Sequence, residues 1–368
     1  MVDLNSQYLR YKQELDSAIS SVLNSSVFIG GEEVESFSNQ LRDYIGVNHV
    51  ITCGNGTDAL QLALMALDLP KGSEVITAGF SYAAVAEVCM LLGLKPVFAD
   101  VDINTFNINP LEIEKQISPL TKAIVPVHLF GQSCDMEVIT AIAEKHNLFV
   151  IEDNAQSIGS DFIFSDGRTM KSGSIGHIST TSFFPSKNLG CYGDGGAVLT
   201  NNHELAIKIK MLANHGQSKK YHHDAIGINS RLDALQASIL KVKLSVLDGF
   251  IEERRKVASR YNSAFEGIES IRIPYKDKKS THVYHQYTLQ VYGLNIMEIR
   301  EKLNEKGIPS MVYYPMPLYK QKTYRSELHL PVTEALCDSV LSLPMGTDMT
   351  DEQIEFITNQ FKEIINHK

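Results

Sequence analysis

The chain has 368 residues, 43% hydrophobic and 21% charged, enough apolar material for a large core, which excludes a disordered or low-complexity polypeptide. Its formal net charge of −9 and pI near 5.8 argue against nucleic-acid and anionic-membrane partners, so any anionic ligand must be held by local groups. Cys53, Cys89, Cys134, Cys191 and Cys337 stand without CxxC spacing, which speaks against zinc and against a disulfide framework and suits a reducing cytoplasm.

The opening "MVDLNSQYLRYKQELDSAISSVL" is a charged amphipathic pattern without a signal-peptide block, and no uncharged run is long enough to span a bilayer. From about residue 49, apolar runs alternate with helical patterns: "HVITC" then "GTDALQLALMAL", "EVITAGF" then "AAVAEVCMLLG", "KPVFADV" then "NPLEIEKQI". "KAIVPVHLF", "DMEVITAIAEKH" and "FVIEDNA" continue the series. Such alternation implies βαβ crossovers and a mainly parallel sheet covered on both faces, an α/β fold. After a glycine loop come "AVLTN", a helix over about 204–213, the polar "HGQSKKYHHDAIGINSR" and a long helical pattern over 232–265. "VYHQYTLQV", "NIMEIREKLNEKG", "IPSMVYY" and "TDEQIEFITNQFKEIIN" then suit a smaller C-terminal α+β domain. The expected division is 1–245 and 246–368, inside the long helix.

Open parallel sheets bind ligands beyond the carboxyl ends of their strands, and four candidates lie at such ends. Gly54, Asn55, Gly56 and Thr57 follow a strand and open a helix, as a phosphate cradle or as an ordinary glycine turn. Neither the dinucleotide fingerprint nor the P-loop pattern is present. Glu152 and Asp153 end a buried strand, where a carboxylate needs a cation, such as a pyridinium nitrogen, unless Asp153 caps the next turn. Tyr82 can stack on a flat ring or fill the core. Lys187 lies between "SFF", read as a buried strand end, and a run containing Gly190, Gly193, Gly195 and Gly196. It is a loop lysine or an amine whose pKa is lowered by burial, able to condense with an aldehyde cofactor. Together the four supply what pyridoxal phosphate requires: an amine, an acid for the ring nitrogen, a phosphate cradle and a stacking face.

With "NGTDAL", "EDNAQS", "SFFPSKNLGCYGDGGA" and "GINSRLDALQASIL" in this order, the chain resembles the DegT family of sugar aminotransferases over nearly its whole length. That resemblance implies the fold type I architecture of pyridoxal phosphate transferases, with a large cofactor domain and a small C-terminal one. It implies Lys187 as the cofactor-bearing lysine, Asp153 at the pyridine nitrogen, Gln156 near the phenolic oxygen and Tyr82 on the ring. Gly56, Thr57 and Ser182 would hold the phosphate, joined by Asn229 across a homodimer interface. Related dehydratases carry histidine at the Lys187 position, so the lysine favours transamination. "SFFPSKNLGCYGDGGA" and "HGQSKKYHH" are most similar to members aminating UDP-2-acetamido-2-deoxy-3-oxo-glucuronate with L-glutamate, for bacterial surface polysaccharides. A keto 6-deoxyhexose linked to dTDP or UDP is the alternative substrate, and a non-catalytic regulatory protein on the same fold the alternative function. On the sugar side, Arg231 is expected to read a carboxylate or to pair with a protein carboxylate. Tyr313 and Tyr314 stand where relatives often have His-Tyr-Pro. His222 and His223 line the partner subunit's nucleotide entrance or lie in a solvated loop; without acidic or cysteine partners they imply no metal.

Overall fold

A computed structural model describes residues 2–366. Helices α1 (Leu4–Arg10), α2 (Lys12–Ser25) and α3 (Gly31–Ile45) lead the chain. Asp3 caps α1 by accepting from the N–H groups of Asn5 and Ser6. The alternating region follows as β1 (His49–Cys53), α4 (Gly56–Ala66), β2 (Glu74–Ala78), α5 (Ala84–Leu91), β3 (Lys95–Ala99), α6 (Pro110–Gln116), β4 (Thr121–Val125), α7 (Met136–His146) and β5 (Phe149–Asp153). A small hairpin, β6 (Asp161–Ile163) and β7 (Thr169–Lys171), precedes β8 (Ile178–Ser182) and β9 (Gly196–Thr200).

Seven strands form one sheet in the order β1-β9-β8-β5-β4-β2-β3. Pairings β2–β3, β2–β4, β4–β5 and β5–β8 are parallel, whereas β9 is antiparallel to both β8 and β1. Six strands therefore point the same way, and their carboxyl ends gather along one edge. Every residue of β2 and of β9 is buried, as expected for a sheet covered on both faces.

Beyond β9 come α8 (His203–Leu212), the hairpin β10 (Gln217–Lys219) and β11 (His222–His223), α9 (Ala234–Ser245) and α10 (Leu247–Phe265). The helical pattern over 232–265 is two helices, because Val246 leaves helical geometry at φ −118°, ψ 6°. Leu247 and Ile251, just past the break, stay in the cluster of α9, and the apolar stripe changes core only further along α10. Leu240 and Leu244 on α9 pack with Phe37 and Leu41 of α3, whereas Val257, Tyr261 and Phe265 on α10 join a separate cluster with Tyr287, Leu341 and Phe361. That second cluster is built on a three-stranded sheet, β12 (Ile271–Arg272), β13 (Tyr287–Val291) and β14 (Val340–Leu343), with α11 (Ile296–Glu305) and α13 (Asp351–Asn366); α12 (Pro331–Ser339) instead sends Leu336 and Cys337 into the core around the seven-stranded sheet, with Ile76 of β2 and Ile124 of β4.

"IPSMVYY", expected as a strand, is not one. Met311 meets the free edge of β14 through a single bridge to Ser342, with bonds of 3.1 and 2.7 Å, and Tyr313 and Tyr314 then line the cavity described below.

Candidate active site

A cavity of about 680 Å³ opens beyond the carboxyl ends of β1, β2, β4, β5 and β8. At the end of β1, Asn55 accepts a bond from Asp58 N at 2.8 Å and so caps α4, whose first two N–H groups, of Gly56 and Thr57, are not needed within the helix. Gly56 has no room for a side chain, since a Cβ would lie 2.7 Å from Ser182 Cβ. Thr57 and Ser182 line the same wall. Ser230 ties this turn to the "NSR" segment, accepting from Gly54 N at 2.8 Å and donating to Asp58 Oδ2 at 2.6 Å. Sequence reasoning missed both Ser230 and Asp58; the only local signal was the position of the serine inside that motif.

The two acids ending β5 face opposite sides of the strand, as period-2 alternation requires. Glu152 turns away from the cavity and accepts from Gly173 N at 2.8 Å and from Ile175 N and Gly176 N at 2.7 Å each. His128 Nε2 lies 2.9 Å from it; because His128 Nδ1 accepts from Cys134 N at 3.1 Å, Nε2 is the donor. Burial pushes the Glu152 pKa up, but His128 and the backbone donors outweigh it and hold the carboxyl below its ordinary range. Asp153 lines the cavity and, among the described residues, has a single donor, Ala155 N at 3.0 Å. Burial raises its pKa against the opposing pull of Ala155, Lys187 and His128. A buried carboxylate so sparsely satisfied is what a protonated ring nitrogen would complete.

Lys187 lies on the loop between β8 and β9, part-buried on the cavity wall. Burial pushes its pKa down to about 8, with the Asp153 charge pulling the other way. "SFF" is not wholly a buried strand end: Phe183 is fully buried, but β8 stops at Ser182 and Phe184 is 53% exposed beside the cavity. The loop glycines serve close approach rather than left-handed turns. A Cβ on Gly190 would lie 2.4 Å from Pro185 O, and one on Gly196 2.4 Å from Asn55 O. Lys243, on α9 and 2% exposed, donates to Gly190 O at 2.7 Å and sits 4.3 Å from the Tyr192 ring centroid, clamping the loop from behind.

Gln156 accepts from Phe130 N at 2.9 Å and donates to Tyr314 OH at 3.3 Å, so its amide is fixed at the wall. Tyr82 is 63% exposed, a cavity residue rather than core, with its ring centroid 6.5 Å from that of Tyr314. Tyr313, Tyr314, His285 and Gln286 reach the cavity from the C-terminal part of the chain, and the latter two carried no recognisable sequence signal. Four candidates lie elsewhere on the chain. Asn229 and Arg231 are exposed outside the cavity, and His222 and His223 are exposed on the β10–β11 hairpin. Among the described residues, no three His, Cys, Asp or Glu side chains cluster as metal ligands and no helix is long and apolar enough to cross a membrane.

A mainly parallel sheet whose strand ends bring together an amine of depressed pKa, an under-satisfied buried acid and a glycine cradle defines a fold type I pyridoxal phosphate transferase. Comparison with known proteins narrows this: residues 10–362 match the model of the DegT/DnrJ/EryC1/StrS aminotransferase family, and the chain belongs to it. It is 43% identical over 97% of both chains to the UDP-2-acetamido-2-deoxy-3-oxo-D-glucuronate aminotransferase of Pseudomonas aeruginosa. It is 42% identical, over all of this chain and 98% of the other, to a pleiotropic regulatory protein of Geobacillus stearothermophilus. NtdA from Bacillus subtilis with bound cofactor PMP superposes with a TM-score of 0.89 at 32% identity, over 97% of this chain and 82% of that one.

Proposed function

We propose that this aminotransferase uses pyridoxal phosphate to move an amino group from L-glutamate to a nucleotide-linked keto sugar, UDP-2-acetamido-2-deoxy-3-oxo-glucuronate, for a bacterial surface polysaccharide such as lipopolysaccharide O-antigen. The observation that carries this reading is the amine of Lys187, its pKa near 8, sharing one cavity with the Asp153 carboxylate. The 43% identity to a relative of that name supports the sugar. Gly56, Thr57 and Ser182 would hold the cofactor phosphate, Tyr82 would face its ring, and Gln156 would approach its phenolic oxygen. When bound, pyridoxal phosphate supplies an electron sink for charge developing at the carbon that loses its proton.

The protein's own groups perform the rest. Lys187 Nζ, neutral in a substantial fraction of molecules near pH 8, would move a proton from the donor carbon to the cofactor in the first half of the reaction and from the cofactor to the sugar carbon in the second. Asp153 would present its carboxyl group to the ring nitrogen at a fixed point on the cavity wall, and His128 and Glu152 hold the end of β5 that carries it.

A homodimer with shared sites places Asn229 at the partner's phosphate, Arg231 on the sugar side, and His222 and His223 at the partner's nucleotide entrance. The apolar run Val27, Phe28 and Ile29, each about half exposed, supports such a dimer. Phe28 O accepts from Ala234 N and Ile29 bridges Asp233, so this run lies beside Asn229 and Arg231. The cytoplasm and a division at residues 245 and 246, where the helix breaks, belong to the same reading.

The test is to incubate purified enzyme with L-glutamate and each of the 3-oxo-glucuronate, 3-keto and 4-keto 6-deoxyhexose nucleotides, and to quantify the amino sugar. Preferred turnover of a 6-deoxyhexose would overturn the substrate assignment. A regulatory role, which the 42% identical relative favours, predicts that the bound cofactor shows no absorbance change on mixing with glutamate.

A further inference from the structure

Residues 282–286 are clamped from four sides. Val283 N donates to Gly131 O at 2.8 Å, Asn188 Nδ2 donates to Val283 O at 3.0 Å, and Arg255 Nε donates to His282 O at 3.0 Å. The fourth clamp is Arg254, whose Nη1 donates to Tyr284 O at 3.0 Å and to His285 O at 3.4 Å. Gly131 makes the close approach possible: its φ is +109°, and a Cβ there would lie 2.8 Å from both Tyr284 N and His285 N. A segment held this firmly presents its side chains at fixed positions.

Two of those side chains, His285 and Gln286, line the cavity that holds Lys187, although only 5% and 8% of these residues is exposed. His285 Nδ1 has no hydrogen-bond partner among the described residues. Burial keeps the imidazole neutral, with Lys187 and Arg254 disfavouring its charged form further. A neutral imidazole offers one donor, and the Gln286 amide offers two more. Behind them Arg254 is 1% exposed, has no carboxylate partner among the described residues, and leaves its Nε unpartnered. A buried guanidinium without a counter-charge is costly, and its field reaches the cavity through the backbone it holds.

We propose that His285 and Gln286, backed by the unpaired guanidinium of Arg254, form a subsite for a substrate carboxylate. The donors would bind the anion directly and the buried cation would offset its desolvation. This rests on the aminotransferase reading, which brings carboxylate-bearing molecules into the cavity. The carboxylate belongs either to the amino donor or to a uronate sugar. The subsite is on the same wall as Gln156 and Tyr314, because Gln286 N donates to Phe130 O and Phe130 N donates to Gln156. The wall of Gly56 and Ser182, assigned to phosphate, is built from other strands.

The experiment titrates holoenzyme calorimetrically with glutarate, a dicarboxylate that cannot react, and with the uncharged glutaramide. Gln286→Leu and His285→Phe should each weaken glutarate by about tenfold or more, while Gln286→Glu, which adds a like charge, should weaken it further. Glutaramide should not follow this order. A second arm compares UDP-N-acetylglucosaminuronate with UDP-N-acetylglucosamine, which lacks the carboxylate. Loss confined to glutarate assigns the subsite to the amino donor; loss confined to the preference for the uronate assigns it to the sugar.

Affinities unchanged within about twofold in both arms, for a well-folded Gln286→Leu, overturn the subsite. The two Gln286 variants decide the matter if His285→Phe fails to fold. A wild-type cofactor spectrum indifferent to glutamate would instead sink the underlying aminotransferase reading.

Discussion

Replacing Gly56 by alanine tests the cradle most directly. The new Cβ would lie 2.7 Å from Ser182 Cβ, 3.2 Å from Ser182 Oγ and 3.4 Å from Ser182 Cα. Ordinary carbon contacts lie at about 3.5–4.0 Å, so the Cβ–Cβ pair must separate by about 1 Å. A Cβ has no rotamer by which to escape; the displacement falls on the start of α4 or the end of β8. Overpacking of this kind costs about 1–3 kcal/mol of stability. The same shift misplaces the N–H groups proposed for phosphate. Losing one hydrogen bond to a charged group, worth about 1.5–3 kcal/mol, weakens cofactor binding by about tenfold to a hundredfold.

Two measurements on Gly56→Ala serve: urea unfolding of cofactor-free protein, and fluorescence titration with pyridoxal phosphate. Gly249→Ala is the control, because a Cβ on that residue of α10 meets nothing within 4 Å and should stabilise the helix by about 0.5–1 kcal/mol. Wild-type stability and wild-type cofactor affinity in Gly56→Ala would refute the argument.

Three further outcomes are expected. Glu152→Gln removes the charge that His128 and three backbone N–H groups satisfy, and should cost about 3 kcal/mol or more in urea unfolding. Lys187 has a folded pKa near 8 against the usual 10.5, so the unfolded chain binds the extra proton between those values and stability rises with pH there. Cofactor-free Lys187→Met should accordingly be more stable than wild type at pH 7, with the gap closing between about pH 8 and 10.5; a pH-independent gap in denaturant titrations would contradict the depressed pKa. Lys243→Met removes the bond to Gly190 O and should raise protease sensitivity of the loop carrying Lys187, read by limited proteolysis of cofactor-free protein.

Local patterning made much of this protein legible. Short apolar runs and the helical patterns between them specify β1 to β5 with their helices, because each such element is stabilised by the surface it buries. The same patterning places Gly56, Tyr82, Asp153, Ser182 and Lys187 at strand ends, and the direction of the strands gathers those ends at one edge. Local patterns mislead where pairing decides. "IPSMVYY" has strand composition, yet only Met311 finds a partner on β14. The helical pattern over 232–265 continues through Val246, where the backbone breaks it into two helices, and Val257, Tyr261 and Phe265 near its end serve a different core from Leu240 and Leu244.

What only the tertiary structure decided is which distant groups meet. Both Glu152 and Asp153 looked like buried acids in need of partners; packing supplied partners for Glu152 from 128 and 173–176 and left Asp153 nearly bare in the cavity. His285, Gln286, Tyr313 and Tyr314 join a site whose amine lies more than ninety positions earlier, through contacts that no local period encodes. Secondary structure follows from short-range burial and hydrogen bonding, so it is written within a dozen residues. Charge balance inside a cavity depends on every chain segment that packs there, and exists only once the whole chain has folded.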